Sequence, residues 1–421
     1  MESERVDRLV VRVYHRPVSG RVGVLAAVAL GLACVLPAAA MAVVPARSLS
    51  VFPVRESPGW IALGPDGAMW VTTESRRLVR IDATGHVSYK AVPEVPESPA
   101  RFGLGAAGIV TGPDGALWFA ESEASGFGRY VPGQTTFQEY PVPGSGSPLF
   151  VAVGPDRAIW LTDPGAHIIA RLGPDNSIKS LNLGEPVEPS EIVAGPDNAL
   201  WVGDYSAPRL LRVQTSGSVQ MFPFGPNRTK AVGLAVGPDG ALWFSMYGPP
   251  ARIARMTLDG RIREFKRGLP ARAEVEDIAV GPDGNLWFTE ITSGAIGRIT
   301  LDGRITMFRM FRWSPENIAA GPDNAMWFTN LDQRVVGRVP VNVCASRRVI
   351  HLHLRAPKHD PILRVRLDFL DDELTRRGRW NSAPVALDLR GYIGRTVRVG
   401  VHLRTAAGHH IHTRRTFHTC R

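Results

Sequence analysis

One heptapeptide pattern, Gly-Pro-Asp-x-x-x-Trp, is written seven times, and it constrains the fold more than any other feature of the chain. It reads GPDGAMW from Gly64, GPDGALW from Gly112, GPDRAIW from Gly154, GPDNALW from Gly195, GPDGALW from Gly237, GPDGNLW from Gly281 and GPDNAMW from Gly321. Successive copies start 48, 42, 41, 42, 44 and 40 residues apart, and seven of the ten tryptophans belong to them. Self-similarity at this period marks a repeat architecture. Each unit runs from a short β-branched stretch through the turn to an apolar alternation such as NLWFT (285–289), then AIGRIT (295–300), LDG (301–303) and RITMF (304–308). Pro presets φ for the second turn position, Asp suits the third and Gly supplies positive φ after it, so Gly-Pro-Asp-Gly is a hairpin turn. Asp259-Gly260 and Asp302-Gly303 mark a second hairpin in their units.

Four short strands per unit, with period-2 patterning and abundant Gly and Pro, exclude a helical solenoid and predict an all-β, seven-bladed β-propeller over residues 46–343. The Trp of each second strand is expected to pack between neighbouring blades. The seventh unit stops at VVGRVPV (335–341) after its third strand, while SLSVFPV (48–54) upstream matches the missing fourth. That segment is predicted to pair into blade seven and close the ring, removing two open sheet edges.

Outside the repeat the chain changes character. Arg5, Arg8, Arg12, Arg16 and Arg21 precede the apolar run 22–44. Residues 1–45 therefore read as a secretory signal peptide, with Ala40 and Ala42 placed for cleavage, or as an uncleaved membrane anchor through 22–44. Either reading puts the protein in an extracytoplasmic, secreted or membrane-anchored location. Residues 344–421 alternate strands with polar turns and predict a small β-sandwich-like module. Cys344 and Cys420 bracket it, and in an exported protein they read as a disulfide. This module holds 16 Lys and Arg against 6 Asp and Glu, whereas residues 48–343 hold 27 against 30, so the net charge of +10 belongs to the tail. A basic exported module suits an anionic cell-envelope polymer or lipid headgroups, with a merely solvated arginine-rich surface as the alternative. No nucleic-acid partner is expected, because no binding motif is present. His351 with His353, and His410 with His412, would share strand faces, a spacing compatible with a metal site or with scattered surface histidine.

The stretch GPDGNLWFTE (281–290) followed by AIGRITLDGRITMF (295–308) resembles the repeat of the virginiamycin B lyase (streptogramin lyase) family, and the resemblance covers residues 48–341. It implies a seven-bladed propeller and an enzyme that opens cyclic streptogramin B antibiotics by magnesium-assisted elimination at the ester linkage. In that family a catalytic histidine sits in a Pro-His-Gly-Ile segment leading into an inner strand. A glutamate lies two residues before it, another follows the Trp strand, and a second histidine comes from the preceding blade. A neutral imidazole is suited to take a proton near neutral pH, and carboxylates hold a hard Mg²⁺ that polarises the carbonyl.

Matched residue by residue, the carboxylate positions fall on Glu274 and Glu290, which the resemblance assigns to Mg²⁺. The histidine position holds Glu276, and the preceding blade offers Val232. The other units place Gly59, Ala107, Leu149, Ser190 and Glu316 there, and the only histidines within the repeat are His86 and His167. The expected function is therefore a degenerate, non-catalytic member binding an extracytoplasmic ligand. An active metal-dependent lyase with Glu276 as base is the alternative.

The loops entering each first strand and leaving each second strand vary most between units, and they share one face of the predicted ring. Three residues after each Trp stand Thr73, Glu121, Asp163, Asp204, Met246, Glu290 and Asn330. This acidic ring suits a Mg²⁺ or Ca²⁺ ion at the channel mouth; alternatively, each acid is a structural residue paired with a backbone amide or with an arginine such as Arg298. Trp60, Tyr247 and Trp313, beside Glu121, Asp163, Asp204 and Glu316, are the candidate ligand contacts, with loop packing as the alternative role for the aromatics.

Overall fold

The computed structural model describes residues 12–13, 49–92, 106–122, 124–225, 229–248, 250–310, 313–341, 349–355, 362–369, 372–380, 382–388, 396–408 and 410–418. The segment read as signal or anchor, apart from Arg12 and Val13, and both Cys344 and Cys420 lie outside the described residues. Every described element is a strand. The chain divides into two compact units, residues 47–345 with 391–394, and residues 1–46 with 346–390 and 395–421.

The first unit is a seven-bladed propeller in which each blade is a four-stranded antiparallel sheet. Blade six shows the plan: inner strand Val275–Val280, then Leu286–Glu290, Ala295–Ile299 and Ile305–Arg309 outermost. Blade seven combines Pro315–Ala320, Ala325–Asn330 and Val335–Pro340 with Ser50–Pro53, whose Phe52 pairs with Val336. The N-terminal strand thus closes the ring as the truncated seventh repeat requires.

The repeated residues form a staple in every blade. Each turn Asp accepts a hydrogen bond from its own Trp Nε1 at 2.9 to 3.2 Å, the pairs running from Asp66 with Trp70 to Asp323 with Trp327. Its other oxygen meets an arginine Nε from the third strand: Arg80, Arg129, Arg171, Arg212 and Arg255 at 2.6 to 2.8 Å, Arg298 at 3.4 Å, and Arg338 likewise. The first turn residue must be glycine because a Cβ there would stand 2.2 to 2.5 Å from the Trp ring. Each ring in turn packs into the apolar cluster of the following blade; Trp201 lies among Leu234, Leu242 and Phe244, and Trp243 among Val275, Ile278 and Leu286. Burial alone would raise the turn aspartates, but hydrogen bonds from the Trp and Arg side chains outweigh it and hold Asp66, Asp114, Asp156, Asp197 and Asp239 below the usual carboxylate range.

The second unit holds two antiparallel sheets. One orders Arg12–Val13, Val349–Arg355 and Ser382–Asp388; the other orders Asp372–Trp380, Ile362–Phe369, Thr396–Thr405 and His410–His418. In the latter sheet Val365, Val399, Val401 and Leu403 are buried, so one face carries the apolar side chains.

Candidate functional site

The site is made by an irregularity in the inner strands. In blade six Val275 pairs with Glu290 and Ile278 with Phe288, leaving Glu276 and Asp277 together opposite a single residue. The same bulge interrupts blades one, two, four, five and seven. A bulge breaks the in-and-out alternation of a strand. In blades one, five, six and seven its freed amide is met by the Thr or Ser two residues after the Trp: Trp60 N donates to Thr72 Oγ1 at 3.0 Å, Gly233 N to Ser245 Oγ at 2.8 Å, Asp277 N to Thr289 Oγ1 at 2.9 Å and Asn317 N to Thr329 Oγ1 at 3.2 Å. Consecutive residues therefore face the central channel, as Gly59 and Trp60, Glu276 and Asp277, and Glu316 and Asn317 all do.

These positions enclose a cavity of about 320 Å³ at the mouth of the channel, lined from all seven blades. Its walls carry five carboxylates, Glu74, Glu191, Glu276, Asp277 and Glu316, and three aromatic rings, Trp60, Phe150 and Tyr205. Trp60 stands edge-on to Phe150 with centroids 5.7 Å apart. Two of the acids also stitch blades together. Asp277 accepts from Ile318 N at 2.7 Å in blade seven, and Glu191 accepts from Leu234 N at 2.8 Å in blade five. Blade five can only be glycine at the corresponding point, because a Cβ on Gly233 would lie 2.8 Å from Asp277 Cα and Glu276 O. The bare backbone there lets the Glu191 and Asp277 charges feel one another. The carboxylates of Glu276 and Glu316 meet no hydrogen-bond partner among the described residues and face the cavity freely.

Crowding sets the protonation of this wall. Burial first, and then the charge of Asp277, push Glu191 well above the usual range. Burial and Glu276 push Asp277 up to about 6. Burial, then Glu276, Asp332 and Glu74, push Glu316 up to about 7. Glu276 itself is raised by burial and then by Glu274, and Tyr205 is held protonated by burial and by the same acids.

The candidate residues separate into distinct groups. Trp60, Glu276 and Glu316 line the cavity. Glu290, fully buried, spends both oxygens on its own loop: Oε1 accepts from Glu274 N at 3.1 Å and Thr292 N at 3.1 Å, and Oε2 from Ser293 N at 3.0 Å and the Ser293 hydroxyl. Asp163 and Asp204 are equally buried and do the same for their blades. Asp163 accepts from Gly146 N at 2.7 Å and Ser147 N at 2.9 Å, and Asp204 from Glu188 N at 3.1 Å and Arg209 Nε at 2.6 Å. Glu121 lies 3.7 Å from Arg76 of the preceding blade. The position after the Trp strand thus acts as a loop clamp, through amides more than arginines, and Arg298 belongs to Asp283 instead. Tyr247 is exposed near Glu274, and Trp313 packs against Phe328 at 5.9 Å; neither lines the cavity.

The Mg²⁺ that the family resemblance implies can be tested against these donors. Glu274 and Glu290 are adjacent, but the oxygens of Glu290 are occupied by its turn, and both imidazole positions are filled by Val232 and Glu276. Among the described residues no three His, Cys, Asp or Glu side chains converge to hold a metal ion. The donor set as it stands does not fit the ion, and no chemical step is routed through one here.

Glu191 and Asp277 line the site without having been singled out as contacts by the sequence. Period-2 reasoning allows one channel-facing residue per inner strand, and only the bulge adds the next. The visible signal is a polar residue immediately before the inner-strand Ile, as in Ser190-Glu191-Ile192 and Glu276-Asp277-Ile278.

Comparison with known proteins agrees with this architecture. A virginiamycin B lyase from Nocardia farcinica (strain IFM 10152) is 31% identical over 127 residues, a match spanning 30% of this chain and 40% of the relative. A streptogramin B lyase structure aligns with TM-score 0.64 and 28% identity, covering 70% of this chain and 97% of that one. A catalytically inactive His-to-Ala variant of virginiamycin B lyase from Staphylococcus aureus, with quinupristin, aligns with TM-score 0.63 and 27% identity, covering 70% and 99%. The sequence model described as the virginiamycin B lyase family matches residues 45–275 and 251–350, more than half of the chain, and on that footing the chain belongs to the virginiamycin B lyase family.

Proposed function

We propose that this protein is an exported, non-catalytic member of its family that binds a small extracytoplasmic ligand in the channel mouth. The observation that carries the reading is the composition of that cavity. It offers five carboxylates and three aromatic rings but no imidazole, and the histidine positions hold Glu276 and Val232. A His-to-Ala change leaves the Staphylococcus aureus relative catalytically inactive while it is still found with quinupristin. Loss of an imidazole is therefore compatible with a ligand-binding propeller. The carboxylates of Glu276 and Glu316 accept hydrogen bonds or positive charge from a ligand, and Trp60, Phe150 and Tyr205 supply apolar faces. The arginine-rich start and apolar run of the chain support export.

A second reading is favoured by one observation. Glu276 sits beside Glu274 and is raised above the ordinary glutamate range, which brings a carboxylate closer to the basicity that proton abstraction at neutral pH requires. In that reading the protein is a lyase with Glu276 as base. The test is to incubate the purified protein with quinupristin, follow ring opening by mass spectrometry and measure binding by calorimetry. The binding reading expects heat that is lost in Glu316→Ala and Trp60→Ala, with no ring-opened product. Turnover abolished by Glu276→Gln would overturn it in favour of the lyase, and heat unaltered by either wall variant would remove the cavity as the site.

A further inference from the structure

The second unit carries a feature that the propeller does not explain. Along Ile362–Phe369, Thr396–Thr405 and His410–His418 the register aligns arginine and histidine side chains into two rows that cross three strands. Arg366 pairs with His402 and His402 with His412; Arg364 pairs with Arg404 and Arg404 with His410. Val365, Val401 and Leu403 between them are buried, so strand alternation turns the rows to the opposite, solvent-facing side. Arg404, His410 and His412 are exposed and Arg364, Arg366 and His402 half-buried. The rings of His402 and His412 meet edge-on with centroids 4.5 Å apart.

Like charges directly opposite one another weaken an antiparallel pair. Arg364 and Arg404 nevertheless face each other, and Arg364 Nε is buried without a hydrogen-bond partner.

We propose that this face binds a linear polyanion carrying phosphate groups. Strands lie about 4.8 Å apart and alternate residues about 6.6 Å apart along a strand, so three guanidinium groups and three imidazoles occupy a strip only about 10 Å across. Successive phosphates of an extended chain reach all of it at once, and the planar guanidinium fork matches the phosphate oxygens. A soluble polymer suits the face better than a lipid bilayer. Among the described residues of this sheet the exposed side chains are Arg404, His410 and His412, none of them apolar, so contact runs through charge rather than through insertion into a bilayer. The inference is independent of what the propeller binds.

The test uses the full-length protein, with long-chain inorganic polyphosphate as the probe, titrated by fluorescence anisotropy at several salt concentrations. Arg364→Gln/Arg404→Gln is expected to lower affinity at least about tenfold and to flatten the salt dependence by roughly one unit of slope per arginine lost. Arg304→Gln, on an exposed propeller turn, is expected to leave both unchanged. Should the double variant fail the near-UV circular dichroism check, Arg404→Gln alone, at an exposed position, is expected to give a several-fold loss. Unchanged affinity in whichever variant folds would overturn the proposal. So would an equal loss in Arg304→Gln, and so would binding to phosphatidylglycerol vesicles without binding to polyphosphate.

Discussion

The seven staples make a quantitative claim that can be tested in blade four. Trp201 is fully buried and donates its indole N–H to Asp197 Oδ1 at 3.2 Å, while Arg212 Nε reaches Oδ2 at 2.6 Å. Asp197→Ala strands the buried N–H, a loss of about 1–3 kcal/mol. It also removes an ion pair whose side chains are 21% and 17% exposed, worth at most about 1 kcal/mol after solvent screening. The expected destabilisation is therefore about 1–4 kcal/mol, read from urea unfolding followed by tryptophan fluorescence. In the double variant Asp197→Ala/Trp201→Phe the missing donor no longer needs a partner, so the costs should fall short of additivity by about 1 kcal/mol. The pH dependence has a definite sign. The pKa of Asp197 is depressed in the folded protein, so its contribution is complete above the unfolded value near 3.8 and is lost as pH falls through the folded value. The gap between wild type and Asp197→Ala should narrow accordingly in acid. Asp302→Ala, in a fully exposed hairpin, serves as the control and should leave the midpoint in place. A loss below about 0.5 kcal/mol in Asp197→Ala, or strict additivity in the double variant, would refute the staple as the reason the motif is repeated.

Two further outcomes follow from particular positions. Glu316, raised from 4.5 to about 7, favours the folded state when protonated; that contribution is complete below 4.5 and disappears as pH rises through 7. Glu316→Gln should thus gain stability relative to wild type between pH 5 and 8, and parallel pH profiles would contradict the crowded-wall account. In the third repeat Arg157, exposed and at φ 61, occupies the turn position that Gly67, Gly115, Gly240 and Gly284 fill at φ 69 to 72. Arg157→Gly should raise stability by about 0.5–1 kcal/mol in the same urea assay, and a loss would show that the arginine contributes more than its backbone strain costs.

The blades were legible because their determinants are local and periodic. Gly-Pro-Asp sets a turn, the Trp six residues after the first Gly folds back onto the Asp, and the arginine follows two turns of chain later; all fall at fixed offsets within one unit. Closure was legible for the same reason, since a fourth strand missing at one end and surplus at the other has only one place to pair. The wall of the channel was not legible in this way. Asp277 is set by a bulge whose amide is met by a threonine on the next strand, and the carboxylates of Glu191 and Asp277 both accept from amides on the next blade. The acids three residues after each Trp were visible as a set, yet their meaning lay in loop amides that no spacing reveals. Trp60, Glu276 and Glu316 were both singled out and brought to the cavity.

The division between what was legible and what was not is itself a property of the fold. The staples sit where each inner strand ends, around the Gly-Pro-Asp turns, whereas the cavity lies where each inner strand begins, at the other face of the ring. Substituting a histidine position by Val232 or Glu276 disturbs no staple, no inter-blade tryptophan and no closing strand. A repeat array stabilised by nearest-neighbour interfaces therefore tolerates change at its channel mouth with little effect on folding. Resemblance is accordingly strongest at the residues that build the blades. These are also the residues that say least about chemistry, so for this chain the activity has to be argued from the five carboxylates at the mouth rather than from the seven tryptophans that identify the family.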